Sequence, residues 1–319
     1  MTRPGADGSA GPAPRHTLPA GRLMVGIAVL YASMWCLSTL DASSKWVLAA
    51  GVPVLVVAWF RYVAHLLLVA GLLVPMRGWR ILRPKRVQDQ ILRGGTMLCA
   101  TLMFFLTLRR LPQAEATAII FLAPLIVLAT APWLLKEKPQ LSRWIAAAVG
   151  FAGVMIVVRP GSGLDPLGVV LGLITAVFFA AQFIATRRVA NEDPFTTLIW
   201  SGAVGALGLT AILPFVLPPA MPVLANLGLW EWVVMLSTGV SGALGHLLQI
   251  QAYRNAPASV LAPLVYLQIT CAATLGWLIW GQFPGPLTWL GIAITCGSGA
   301  GIALYEWRRN RLARSAAST

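Results

Sequence analysis

Negative charge is scarce in this sequence. Its 319 residues hold ten Asp and Glu against 24 Lys and Arg, and charged residues of both signs make up 11%. Soluble domains usually carry about 25%, so a water-soluble globular fold is excluded first. Histidine occurs three times and cysteine four times, without the close Cys/His spacing of a metal site. Cys36, Cys99, Cys271 and Cys296 all lie in apolar runs and read as small packing residues. No G-x-x-x-x-G-K-[ST] loop occurs, which argues against an ATP-driven pump within this chain. No cofactor and no metal are expected. The stretch MTRPGADGSAGPAPRHTLPAGR lacks a signal-peptide pattern and reads as a disordered tail.

What is abundant is apolar. Hydrophobic residues make up 58% and mean hydropathy is +0.76. Apolar runs lie at about 23–47, 53–75, 90–108, 113–135, 143–159, 166–187, 196–217, 230–252, 258–280 and 287–306. Each suits a membrane-spanning helix of roughly 20 residues. The predicted fold class is therefore all-α: a polytopic membrane protein with ten transmembrane helices. The net charge of +14 resembles a nucleic-acid signal, but its placement argues otherwise. With a cytoplasmic N-terminus, the inner loops and tails hold 19 Lys and Arg and the outer loops hold four: Lys45, Arg109, Arg110 and Arg159. Arg61 completes the 24 from inside a span. That bias orients helices in a bilayer and predicts that both termini are cytoplasmic.

The chain repeats itself. Shifted by 145 residues, LRRLPQAEATAIIFLAPLIVLATAPWLLKEKPQLSRW aligns with YRNAPASVLAPLVYLQITCAATLGWLIWGQFPGPLTW. Identities include Arg109/Arg254, Pro112/Pro257, Pro139/Pro284 and Trp144/Trp289, and Phe121/Tyr266 is a conservative match. Five spans per half place the second half upside down relative to the first. Such inverted repeats mark secondary transporters, with the substrate site near the midplane between the halves.

The segments LPQAEATAIIFLAPLIVLATAPWLLKEKP and APASVLAPLVYLQITCAATLGWLIWGQFPGPLTWLG resemble the paired repeats of the drug/metabolite transporter superfamily, EamA type. The resemblance covers about residues 23–307. It implies two inverted five-helix repeats, cytoplasmic termini and transport of a small organic metabolite. The runs DASSK, FRYVAH and AEATAIIF are most similar to the branch with S-adenosylmethionine and riboflavin transporters. The expected division is a cytoplasmic tail at 1–22, repeats at 23–159 and 160–307, and a basic cytoplasmic tail at 308–319. Two positions depart from the repeat pattern. Glu137 has Gln282 as its counterpart, and Pro124 has Ile269. The ninth helix is therefore predicted to be straighter than the fourth, although Pro263 precedes it.

Charges at membrane depth are costly and usually face a cavity or a partner. The first half carries Asp41, Lys45, Arg61, His65 and Glu115. Asp41 and Lys45 share one helix face at i,i+4, as do Arg61 and His65. Asp41, Lys45 and Glu115 lie towards the outer side, and Arg61 is the deepest charge. Arg61 either pairs with Asp41 or Glu115 to hold helices together, or lines the cavity and engages an anionic group such as a carboxylate with its planar fork. His65 reads as a proton carrier or a packed residue. In the second half, Gln182, His246, Gln249, Gln251, Tyr266 and Gln268 are polar groups in apolar runs. Gln249 and Tyr266 are the chosen neutral cavity groups, with interhelical hydrogen bonding as their other role. Trp35, Trp59 and Trp277 are candidates to stack on a ring-bearing substrate. Trp79, Trp144 and Trp307 read as interface anchors.

Two other classes were weighed. TGVSGALGH places Ser241 between glycines in a membrane helix, where an intramembrane serine protease would need His65 as its base. A passive channel would need rings of like polar groups along a pore, which the sequence lacks. The expected protein is not an enzyme but a secondary transporter of the inner (cytoplasmic) membrane. Its expected partners are a small-molecule metabolite, the lipid bilayer and a second copy in a homodimer, with no nucleic acid.

Overall fold

A backbone in hydrocarbon must satisfy its polar groups internally, and an α-helix does so within one segment. The computed structural model describes residues 20–134, 141–159, 163–257, 260–261 and 264–316, and these form helices joined by short turns. Glu137, Pro263 and the side chain of Trp307 lie outside the described residues, as do the ends of both tails at 1–19 and 317–319. The helices are α1 (Ala20–Ala49), α2 (Val54–Arg77), α3 (Val87–Leu108), α4 (Gln113–Ile120), α5 (Ala123–Leu134), α6 (Leu141–Val158), α7 (Pro166–Arg188), α8 (Pro194–Ala225), α9 (Leu229–Asn255), α10 (Gln268–Trp280) and α11 (Pro286–Ala316). Among the described residues, eight helical stretches are long and apolar enough to cross a membrane, with Gln113–Thr130 counted as one, and two shorter apolar helices, Trp144–Val158 and Val265–Trp280, bring the spans to ten.

The starts of α7 and α8 share one device. Asp165 and Asp193 are N-caps whose Oδ1 atoms accept from the backbone N–H of Leu167 at 3.0 Å and Phe195 at 2.8 Å. The proline that follows each needs no donor in the first turn. The Arg110 guanidinium donates to Asp165 Oδ2 at 2.7 Å. That bond, helped by the Leu167 N–H, holds the Asp165 carboxyl below its ordinary range.

The helices pack as two halves that exchange roles. The first span, α1, lies along α9, and its counterpart α7 lies along α3. The pairs α2–α8, α4–α10 and α6–α11 each join equivalent spans. A residue can sit beside its own repeat-equivalent only near the axis that relates the halves, and two pairs do. Phe121 and Tyr266, 145 positions apart, have ring centroids 5.0 Å apart. Thr295 Oγ1 donates to the carbonyl of Gly150, again 145 positions away, at 3.3 Å. On α2 and α8, Gly205 faces Tyr62 and Gly202 faces His65, pairs 143 and 137 positions apart that straddle the same crossing. These crossings put the inverted pairing on view at the level of single contacts.

The Gly205 crossing is tight enough to test. A Cβ there would lie 2.3 Å from Cδ1 of Tyr62. The Tyr62 ring cannot swing away freely, because its hydroxyl is 2.9 Å from Thr101 Oγ1. Gly205→Ala is therefore expected to lower the melting temperature of the detergent-solubilised protein, although alanine favours a helix over glycine by ~1 kcal/mol. Overpacking typically costs about 1–3 kcal/mol, and an unchanged or raised melting temperature would refute the close contact.

The fourth span breaks in two at Phe121–Leu122, between α4 and α5. Pro124 cannot donate to the carbonyl of Ile120, the last residue of α4, but is tolerated in the first turn of α5. The ninth span was expected to be straighter, with Ile269 in place of that proline. Instead it holds a 3-10 turn at Val265–Leu267, at the 145-shifted equivalent of the α4–α5 break. The Phe121–Tyr266 ring contact brings the two irregular segments to the same crossing.

Candidate functional site

Between the halves lies a cavity of about 250 Å³. Its wall draws Asp41 from α1, Arg61 from α2, Arg93 and Thr101 from α3, Gln182 from α7, His246 and Gln249 from α9, and Gln268 from α10. Phe104, Phe105, Phe121, Phe179 and Phe183 supply apolar and aromatic faces. The acid and the two guanidinium groups, Asp41, Arg61 and Arg93, come from the first half. The amide groups Gln182, Gln249 and Gln268 come from the second.

Arg61 is 8% exposed. Its Nη1 donates to Thr101 Oγ1 at 2.7 Å, and Thr101 in turn donates to the Met97 carbonyl at 2.9 Å. The guanidinium lies 4.8 Å from the ring centre of Tyr62 and 5.8 Å from that of Phe105, within cation–π range. One edge is thus tied to α3 and one face is covered by aromatic rings, which fixes the fork in place. Arg93 is held differently: Nε donates to Thr186 Oγ1 at 3.0 Å and Nη1 to Ser201 Oγ, joining α3 to α7 and α8. Asp41 is 7% exposed and makes no hydrogen bond or ion pair with a described residue. Arg61 is its nearest charge in effect, felt through space without an ion-pair contact.

Of the site residues chosen from the sequence, Asp41, Arg61 and Gln249 line this cavity together, and Gln182, His246 and Gln268, marked there only as polar groups in apolar runs, line it as well. The others stand elsewhere. Lys45 donates to the Leu111 carbonyl and sits 5.3 Å from the Trp280 ring centre, and Glu115 is buried in the first turn of α4 within electrostatic reach of Lys45. Lys45 thus ties α1 to the α3–α4 connection and to the end of α10, and neither Lys45 nor Glu115 is on the cavity wall. Trp59 faces α8, where its Nε1 donates to Thr210 Oγ1 at 2.8 Å. Tyr266 turns its hydroxyl towards Gly299 on α11 and leaves Val265 and Gln268 to face the cavity. His65 is buried edge-on to His246, with ring centroids 6.0 Å apart, and His246 is the one on the cavity wall. Ser241 donates to the Ser237 carbonyl of its own helix at 2.5 Å, and no hydrogen bond joins it to His65. The geometry thus offers no Ser241–His65 pair.

Arg93 was counted from the sequence as a loop charge. The helix begins at Val87, so Arg93 falls one and a half turns inside it. The signal was present: 93, 97, 101 and 104 mark one face at helical spacing, and all four line the cavity. Arg93→Gln is expected to lower transport by about tenfold while the protein still folds, since hydrogen bonds to charged groups contribute roughly 1.5–3 kcal/mol. Initial rates in proteoliposomes check this.

The EamA-like transporter family matches at residues 24–159 and 166–304. The chain belongs to that family. It is therefore a multi-pass membrane transporter and not an enzyme. It is similar to a riboflavin transporter of Vibrio cholerae, 29% identical over 208 residues, or 65% of this chain and 67% of the relative. It is also similar to an S-adenosylmethionine uptake transporter of Rickettsia bellii, 26% identical over 270 residues, or 85% of this chain and 90% of the relative. A solved crystal structure shares the fold, with a TM-score of 0.59 at 19% identity over 91% of this chain and 98% of its own.

Proposed function

We propose that this EamA-family chain is a secondary transporter that carries a small organic metabolite through the cavity between its repeats by alternating access. The observation that carries the reading is the cavity itself: a polar wall of Arg61, Asp41, Gln182 and Gln249, lying where two inverted halves meet. The repeats correspond to about 23–159 and 160–307. Both termini face the cytoplasm of the inner membrane. Counting Arg93 as a cavity residue changes the inner charge from 19 to 18 against four outside, which leaves the bias intact. At about 250 Å³ the cavity falls below the ~300–1,000 Å³ usual for drug-sized ligands, which favours a compact substrate.

In this reading Arg61 holds an anionic group of the substrate, and Gln182, Gln249 and Gln268 supply neutral hydrogen bonds. The Lys45–Leu111 bond and the Lys45–Trp280 contact close the outer end. The test is uptake and counterflow in liposomes against a metabolite panel, with and without a pH gradient. Saturable counterflow of at least one compound is expected. Flux that never saturates and shows no counterflow would favour a channel and overturn the proposal.

A further inference from the structure

The cavity contains a carboxylate without a partner. Asp41 is 93% covered, lines the wall, and has neither a hydrogen bond nor an ion pair among the described residues. A charged carboxylate at membrane depth is unfavourable unless something positive completes it. Arg61 shares the wall but is engaged by Thr101 and stacked on Tyr62, and it stays beyond ion-pair distance of Asp41. Arg93 is held by Thr186 and Ser201 on the far helices. The other polar groups on the wall, Gln182, Gln249, Gln268, Thr101 and His246, do not bond to Asp41 either. One pocket thus presents an acid and a base that do not satisfy each other, with aromatic surface beside them.

We propose that the transported compound is a zwitterion: its cationic group, a protonated amine in the simplest case, seats on Asp41 while its carboxylate engages the free edge of Arg61. The body of the compound lies against Phe104, Phe179 and Phe183. The substrate supplies the counter-charge that each wall residue lacks. This also gives the site a means of rejection. A monoanion leaves Asp41 stranded and a monocation leaves Arg61 unmatched, and unpaired buried charge is what discriminates strongly against analogues. The inference rests on the inter-repeat cavity being the transport site.

The experiment uses matched triads with the full-length protein in liposomes. For each of several aromatic and aliphatic amino acids, the parent, its N-acetyl derivative and its decarboxylated amine are compared for counterflow. At least one parent is expected to exchange, with both derivatives weaker by about tenfold or more, in line with discrimination by unpaired polar groups. Asp41→Asn is expected to abolish the preference for that parent over its N-acetyl derivative, at an unchanged melting temperature. Asp41→Glu, which keeps the charge, is expected to restore part of it. Equal exchange of parent and N-acetyl derivative by the wild type would overturn the proposal. So would an Asp41→Asn protein that transports like wild type, which would mean that the carboxyl is neutral, or one that loses all compounds equally. If the triads are silent but a neutral or singly charged metabolite shows counterflow, the zwitterion proposal falls and the transporter reading stands. If a folded protein exchanges nothing, both fall.

Discussion

Replacing Arg61 by alanine is expected to reduce transport by about 100-fold, because in the proposed reading it is a charged hydrogen-bonding partner of the substrate, which contributes roughly 1.5–3 kcal/mol, and Asp41 loses the positive charge it feels through space. Arg61→Lys keeps the charge but loses the planar fork that reaches Thr101 on one edge and substrate on the other. It is expected to lower the rate by about tenfold with near-normal folding. The alanine variant should also melt earlier, since removal of the guanidinium takes away the charge that Asp41 feels. The double variant Arg61→Ala with Asp41→Asn separates recognition from architecture. If Arg61 only balances Asp41, neutralising both restores folding and transport together. If Arg61 recognises substrate, folding returns and transport does not. Melting curves and initial rates on the same four proteins distinguish the two.

Pro124→Ala should move stability and activity in opposite directions. The missing N–H of Pro124 leaves the Ile120 carbonyl without its helical donor, and the chain breaks at Phe121–Leu122. Alanine would allow α4 and α5 to run on as one helix. A higher melting temperature is then expected, since an interior proline costs ~3 kcal/mol in a helix and its removal recovers part of that. Transport should fall by an order of magnitude, because Phe121, Ala123 and Pro124 all line the cavity and the break sets where they point. Phe121 also contacts Tyr266 at the crossing of the two halves, so a straightened span would strain the partner segment. A variant that is more stable and fully active would show that the break is incidental.

What could be read from the sequence depended on what lipid forbids. Charge is excluded from hydrocarbon, so Arg61 and Asp41 stood out in their apolar runs, and both are on the cavity wall. The ten spans and the opposite orientation of the halves followed from hydropathy and an odd span count for the same reason. Neutral and amphipathic residues were less legible. Gln249 and Tyr266 looked alike as polar groups in apolar helices, yet Gln249 faces the cavity and Tyr266 is turned to Gly299. That difference depends on helix rotation, which packing sets and hydropathy does not record. Lys45 and Glu115 were charges at depth as well, but they sit near helix ends, where Lys45 meets a backbone carbonyl and a tryptophan face and Glu115 lies in the first turn of α4. Arg93 was hidden by the opposite error: it is the last of the six basic residues between 77 and 93, so it reads as loop charge, whereas α3 already begins at Val87.

Alternating access through the inter-repeat cavity is tested most directly by side-specific labelling of one cavity position. Cys36, Cys99, Cys271 and Cys296 are replaced by alanine or serine, and Gln249→Cys is introduced on the cavity wall. A membrane-impermeant thiol reagent is then applied to right-side-out spheroplasts and to inside-out vesicles. The account predicts labelling from both faces, because the same wall position is presented to each side in turn. Labelling from one face alone under all conditions, or from neither, would contradict it.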